Sequence, residues 1–163
     1  MPFHKILVPV DFSDSEGESL DLARTLEAEV DVLHVIDLPG YLEGQIHVRK
    51  ADGTTEALEP VVLRHVAKTL DALLSSRPPG VRLSPRIEIG RPAERIVDVA
   101  TQGGFDLVVL GTRGPRARAR LLGGVAEKVV RRAPCPVLVL PVSEPPPVEP
   151  ITVPVHVTAF PAY

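Results

Sequence analysis

The residues best suited to chemistry lie between Gly111 and Gly124, in the run GTRGPRARARLLGG. Glycines allow a backbone to approach phosphate oxygens closely. Arg113, Arg116, Arg118 and Arg120 on the same stretch add charge-assisted donors. A helix opening at Gly123-Gly124 would contribute unpaired N–H groups and the positive end of its dipole. The chemistry implied is capture of a polyphosphate. The stretch is not a Walker loop, because no G-K-[ST] follows the glycines, and it is not G-x-G-x-x-G. A glycine-rich segment that merely turns the chain is the competing reading. A second candidate is Asp11, which directly follows the apolar run Ile6-Leu7-Val8-Pro9-Val10.

Other reactive side chains form no constellation. His4, His34, His47, His65 and His156 are scattered without metal-ligand spacing. His34 reads as a strand residue whose ring is satisfied within the fold. Cys135, the single cysteine, stands between two prolines and reads as a buried thiol. Ser13 lacks the G-x-S-x-G elbow of a hydrolase. With no base and nucleophile beside the phosphate candidate, efficient catalysis is not expected, beyond slow hydrolysis of a bound polyphosphate.

The whole-chain figures narrow the function classes. The net charge is −3, which argues against a general nucleic-acid binder. That total conceals a local excess: residues 113–132 hold seven basic residues and one acidic, net +6, leaving 11 basic against 20 acidic elsewhere, net −9. A solvated helix face explains such a cluster as readily as a binding site does. No apolar run approaches a membrane span, and Asp11 interrupts the N-terminal stretch too early for a signal-peptide apolar segment. A lone cysteine fits a reducing cytoplasm. Asn is absent, Gln occurs twice and proline 18 times, a bias expected of a thermophile and equally of a GC-rich genome.

The elements that must position these groups alternate between strand and helix. Ile6–Val8 and Leu107–Leu110 are apolar runs of the kind buried on both faces of a parallel sheet, and Val30–Val35 (VDVLHV) reads as a further strand. Val81–Ile89 and Pro136–Leu140 supply two more strands. Ser13 with Glu16 forms a capping box for a first helix. Leu38–Thr55 reads as a long polar connection. Leu58, Val62, Val66, Leu70 and Leu73 mark a second helix with Pro60 in its first turn. Pro92 opens a third helix, which Gly103-Gly104 ends. A fourth carries Val125, Val129 and Val130, and Pro134 stops it. Five strands with crossover helices make a doubly wound α/β fold, whose ligands bind at the carboxyl ends of strands where strand order reverses. The domain is expected to cover residues 1–142. Residues 143–163 form a tail that holds Pro145-Pro146-Pro147 and an alternating run, Ile151 to Thr158, of edge-strand character. That run could add to its own sheet, pair with a second subunit, or stay loose.

Five segments, ILVPVDFS (6–13), LHVID (33–37), GRPAERIV (90–97), DLVVLGTRG (106–114) and APCPVLVLP (133–141), resemble the universal stress protein family, in order from about Lys5 to Val142. The resemblance implies a three-layer sandwich like that of the adenine-nucleotide alpha hydrolases, Rossmann-like, with strand order 3-2-1-4-5. It also implies a homodimer joined through the fifth strand, to which the tail could contribute, a stress-response role, and, in one branch, binding of ATP with or without Mg. That branch resembles G-x2-G-x9-G-[ST]. Gly111 and Gly114 match the first pair. Counting nine residues on reaches Gly124, followed by Val125. Aligning the helix sequence instead makes Gly123 the motif glycine and puts Gly124 in the hydroxyl position. In both alignments the phosphate-binding hydroxyl is missing, and Pro115 removes an N–H from the loop. By resemblance, Asp11 would contact ribose and base, Val35 would offer its backbone to adenine, and Pro9, Val10 and Leu110 would wall the ring. Gly111, Arg113, Gly114, Gly123, Gly124, Val125 and Ala126 would surround the phosphates. The alternative is a non-nucleotide dimeric interaction module with a vestigial loop and a protein partner. An adenylating enzyme is disfavoured, since neither HxGH nor SGGxDS occurs.

Overall fold

In the computed structural model, residues 2–12, 16–38, 46–49, 53–77, 82–111 and 123–140 are described. The elements in chain order are β1 (Lys5–Val10), α1 (Glu16–Thr25), β2 (Glu29–Ile36), β3 (His47–Arg49), β4 (Thr55–Ala57), α2 (Leu58–Ser75), β5 (Leu83–Ile89), α3 (Pro92–Gln102), β6 (Leu107–Gly111), α4 (Gly124–Arg132) and β7 (Val137–Leu140). The main sheet is all-parallel with order β5-β2-β1-β6-β7. Leaving out the β3–β4 hairpin, this is the expected 3-2-1-4-5.

Period-two alternation sends alternate residues of the central strands to opposite helical layers. Ile6, Val8 and Val10 of β1, with Leu107 and Val109 of β6, pack in one cluster with Leu20 and Ala23 of α1 and Leu70 of α2. Leu7, Val108 and Leu110 pack in the other with Ala93, Ile96, Val99 and Ala100 of α3 and Ala126 and Val129 of α4. Ile6, Leu7, Val8, Val108 and Val109 are fully buried, which is why these strands read as unbroken apolar runs.

The connection after β2 departs from expectation. It contains a two-stranded antiparallel hairpin, with His47 opposite Ala57 and Arg49 opposite Thr55. Three-residue strands are too short for alternation to stand out. Their one sequence signal is the Asp52-Gly53 turn dipeptide, and Gly53 adopts φ +85°. Pro60 is the third residue of α2, where a missing N–H costs no helical bond. Pro92 opens α3 and Gly103 caps its end. The capping serine expected for α1 lies outside the described residues, as do Arg113, Gly114 and the whole tail. No helix among the described residues is long and apolar enough to cross a membrane.

Candidate functional site

β1 and β6 are the central neighbours at which strand order reverses, since β2 and β5 lie to one side and β7 to the other. The β1–β2 ladder spans six pairs, from Lys5↔Glu29 to Val10↔His34. The β1–β6 ladder spans two, Ile6↔Leu107 and Leu7↔Val108. Pro9 has no N–H with which to extend it. The pairing therefore stops before the carboxyl ends, where a crevice forms in sheets of this kind.

The sequence-predicted residues gather around this end. Pro9 and Val10 finish β1, Asp11 follows it, Val35 is one residue from the end of β2, and Leu110-Gly111 end β6. Leu110 belongs to the α3/α4 layer and Val35 packs against it. Pro9 and Asp11 share the parity of Leu7, which faces the same layer. Val10 does not join them: its side chain is buried in the α1/α2 layer. The structure thus corrects the expectation that Val10 walls a ring beside Pro9 and Leu110; what Val10 brings to this end is its backbone. Arg113 and Gly114, with Arg116, Arg118 and Arg120, lie outside the described residues.

The start of α4 carries the remaining candidates. Gly123 is its N-cap and Gly124 its first residue, with no side-chain cap hydrogen bond. Glu127 N–H donates to Gly123 C=O at 2.9 Å, so the N–H groups of Gly124, Val125 and Ala126 precede the first intrahelical bond. Ala126 is buried against the sheet, while Val125 is 42% exposed. A Cβ on Gly124 would meet nothing within 4 Å. The basic cluster divides here. Arg131 and Arg132 occupy the last turn, where cations complement the helix dipole, and Arg131 pairs with Glu127 at 2.8 Å. Seven residues of helix, about 10 Å, separate Arg131 from the glycine end.

Two residues the motif reading passed over organise the β1 end. Phe12 adopts φ +60°, a left-handed conformation that costs a bulky L-residue about 1–2 kcal/mol. Its ring stacks on His34, with centroids 4.2 Å apart and planes inclined by 25°. His34 Nδ1 lies 2.9 Å from Val10 O; since a carbonyl only accepts, Nδ1 carries the proton. Burial lowers the His34 pKa, against the opposing pull of the Val10 hydrogen bond and the Asp11 charge. The imidazole is then neutral at pH 7. The expectation of a satisfied strand histidine holds, but no local pattern marks the turn bearing Asp11 as its partner.

Other groups serve the fold. Cys135 is half-buried, and desolvation together with the Asp106 charge raises its pKa, so the thiol stays protonated and weakly nucleophilic. Among the described residues, no three His, Cys, Asp or Glu side chains cluster to hold a metal ion.

An all-parallel three-layer sheet with an aspartate at the end of its first strand and a glycine-led helix after its fourth main strand defines a doubly wound α/β fold. Residues 2–141 match the Universal stress protein family, and the chain belongs to that family. A universal stress protein of Methanocaldococcus jannaschii is 31% identical over 144 residues, covering 85% of this chain and 82% of that protein. The structure of UspA from Lactobacillus plantarum superimposes with a TM-score of 0.67 at 26% identity, covering 86% of this chain and 99% of the other. A universal stress protein from Archaeoglobus fulgidus, solved in complex with dAMP, shares the fold at 20% identity and a TM-score of 0.54, covering 85% and 98%.

Proposed function

We propose that this chain is a nucleotide-binding regulatory protein that takes ATP or a related adenine nucleotide across the carboxyl ends of β1 and β6. The observation that carries this reading is the convergence at one sheet edge of Asp11, Val35, Leu110-Gly111 and the uncapped first turn of α4. Pro9, Val35 and Leu110 offer apolar surface to a base. Asp11 is exposed and accepts from ribose hydroxyls. The N–H groups of Gly124 to Ala126, with Gly111, face the phosphates, joined by Arg113 and Gly114 between β6 and α4 and by Mg when it accompanies ATP. Gly123 at the N-cap favours the alignment in which Gly124 occupies the hydroxyl position. The dAMP held by the Archaeoglobus relative supports the ligand class. The role is binding that alters a surface for a protein partner in a stress response, with at most slow hydrolysis. Calorimetry of the full chain with ATP and Mg tests it: saturable heat at micromolar to millimolar nucleotide is expected, and no heat at millimolar ATP overturns it.

The same reading pairs two copies through β7. This edge strand leaves Leu138 38% exposed. Leu138→Lys should convert a dimer to monomer in sedimentation; a wild-type monomer would remove the dimer. The absence of a hydroxyl at Gly124 favours a second reading, an interaction module that has lost its nucleotide. Retained partner capture by a protein that binds no ATP would establish it.

A further inference from the structure

We propose that His34 is a positioning residue for nucleotide binding: it clamps the Val10–Phe12 turn from two sides and so sets the Asp11 carboxylate. The inference deepens the nucleotide reading and rests on it. Two contacts, made by different parts of one side chain, carry it. The Nδ1–H donates to Val10 O at 2.9 Å, fixing the last peptide of β1. The ring face lies against Phe12 at 4.2 Å, holding a residue whose φ of +60° is otherwise unfavourable. Asp11 lies between the two clamped residues, so its backbone is fixed at both ends while its side chain stays exposed. His34 is itself anchored: it stands opposite Val10 in the β1–β2 ladder and opposite Ile87 in the β2–β5 ladder. A strained, bulky residue next to the proposed binding carboxylate marks a turn that its surroundings enforce, and the imidazole touches both sides of it. The Val10 carbonyl selects the tautomer protonated at Nδ1. An arrangement fixed before the ligand arrives saves the ordering cost of binding.

The test uses the full chain and two substitutions that separate the contacts. His34→Phe keeps a ring against Phe12 and removes the donor. His34→Asn keeps an N–H near the Nδ1 position and removes the ring. Each is expected to weaken ATP binding by about three- to tenfold, the range of one neutral hydrogen bond or aromatic contact. The same substitutions in an Asp11→Ala background, titrated to millimolar ATP, should leave affinity within about twofold of Asp11→Ala alone. Equal losses in both backgrounds would overturn the proposal, because His34 would then act without Asp11. No loss in either would overturn it as well. A second measurement needs no nucleotide and no variant. Nitrogen-15 spectra of the wild-type imidazole should show a neutral ring protonated at Nδ1. A ring protonated at Nε2 alone removes the clamp even if ATP binds. A failure of the wild-type protein to bind ATP, with the Nδ1–H tautomer present, would instead remove the nucleotide reading and leave the clamped turn as a structural feature without a ligand to position for.

Discussion

At the amino end of β1, Asp106 closes the strand: its carboxylate accepts from His4 N–H at 2.8 Å and Lys5 N–H at 3.0 Å. Lys5 Nζ donates to Gly103 O at 2.8 Å and lies 4.6 Å from the Phe105 ring centroid. At the carboxyl end, an imidazole grips a carbonyl and a left-handed phenylalanine, and the neighbouring Asp11 is exposed. One end spends its acid on the backbone, while the other presents its acid at the surface. The difference separates a stabilising contact from the proposed binding site at opposite ends of one six-residue strand. It also locates strain where binding is proposed, as stored strain clusters at functional sites.

Substitutions at the two ends should therefore give opposite signatures. The largest effect is expected from Asp11→Ala. Loss of a charged acceptor removes about 1.5–3 kcal/mol, or roughly 10- to 100-fold in ATP affinity by calorimetry, with a melting temperature close to wild type. Gly103→Ala should do the reverse. An added Cβ would run into the Phe105 ring and come within 3.0 Å of Val99 O. Overpacking of this kind costs about 1–3 kcal/mol, visible as a melting temperature several degrees lower with ATP affinity retained. Asp106→Asn is milder, about 1 kcal/mol by denaturant titration, since the acceptor is weakened rather than deleted and is only half-buried. Gly124→Ser is expected to raise ATP affinity a few-fold. Its Cβ meets nothing, and its hydroxyl restores the donor that the motif lacks. A drop in affinity would assign the site a different phosphate geometry.

The two ends also titrate differently. Burial lowers the His34 pKa, so the unfolded chain binds the proton more tightly. The contribution of His34 is fully present above the free histidine value of about 6.5 and is lost as pH falls through that value toward the folded one. Desolvation opposes ionisation of Asp106, but the His4 and Lys5 N–H donors outweigh it and leave its pKa lowered. Its contribution is present above the ordinary carboxylate value of about 3.9 and is lost only below it. Stability against pH should show a small decline below about 6.5 that His34→Phe removes, and a further decline at more acidic pH that Asp106→Asn reduces.

Much of this was legible in the sequence. Apolar runs such as Leu107–Leu110 identify central strands because both faces are buried, and Pro92 and Gly103 bound α3 through their backbone requirements alone. Gly123 and Asp11 lie where the sequence puts them, at the N-cap of α4 and directly after β1, because a helix start and a strand end carry their own residue signals. Three things were not. The β3–β4 hairpin is too short to show a period. The layer taken by Val10 follows from strand parity and not from its hydrophobicity. The His34–Phe12 contact joins residues 22 positions apart, through a register that no local pattern encodes and a positive φ that propensity argues against.

The central claim is tested most directly by backbone amide spectra of the 163-residue chain titrated with ATP and Mg. Saturable shifts are predicted at Asp11, Val35, Gly111 and Gly123 to Ala126, with His4 and Lys5 at the other end of β1 unmoved. Shifts confined to the His4–Asp106 end, or none at millimolar nucleotide, would contradict the account.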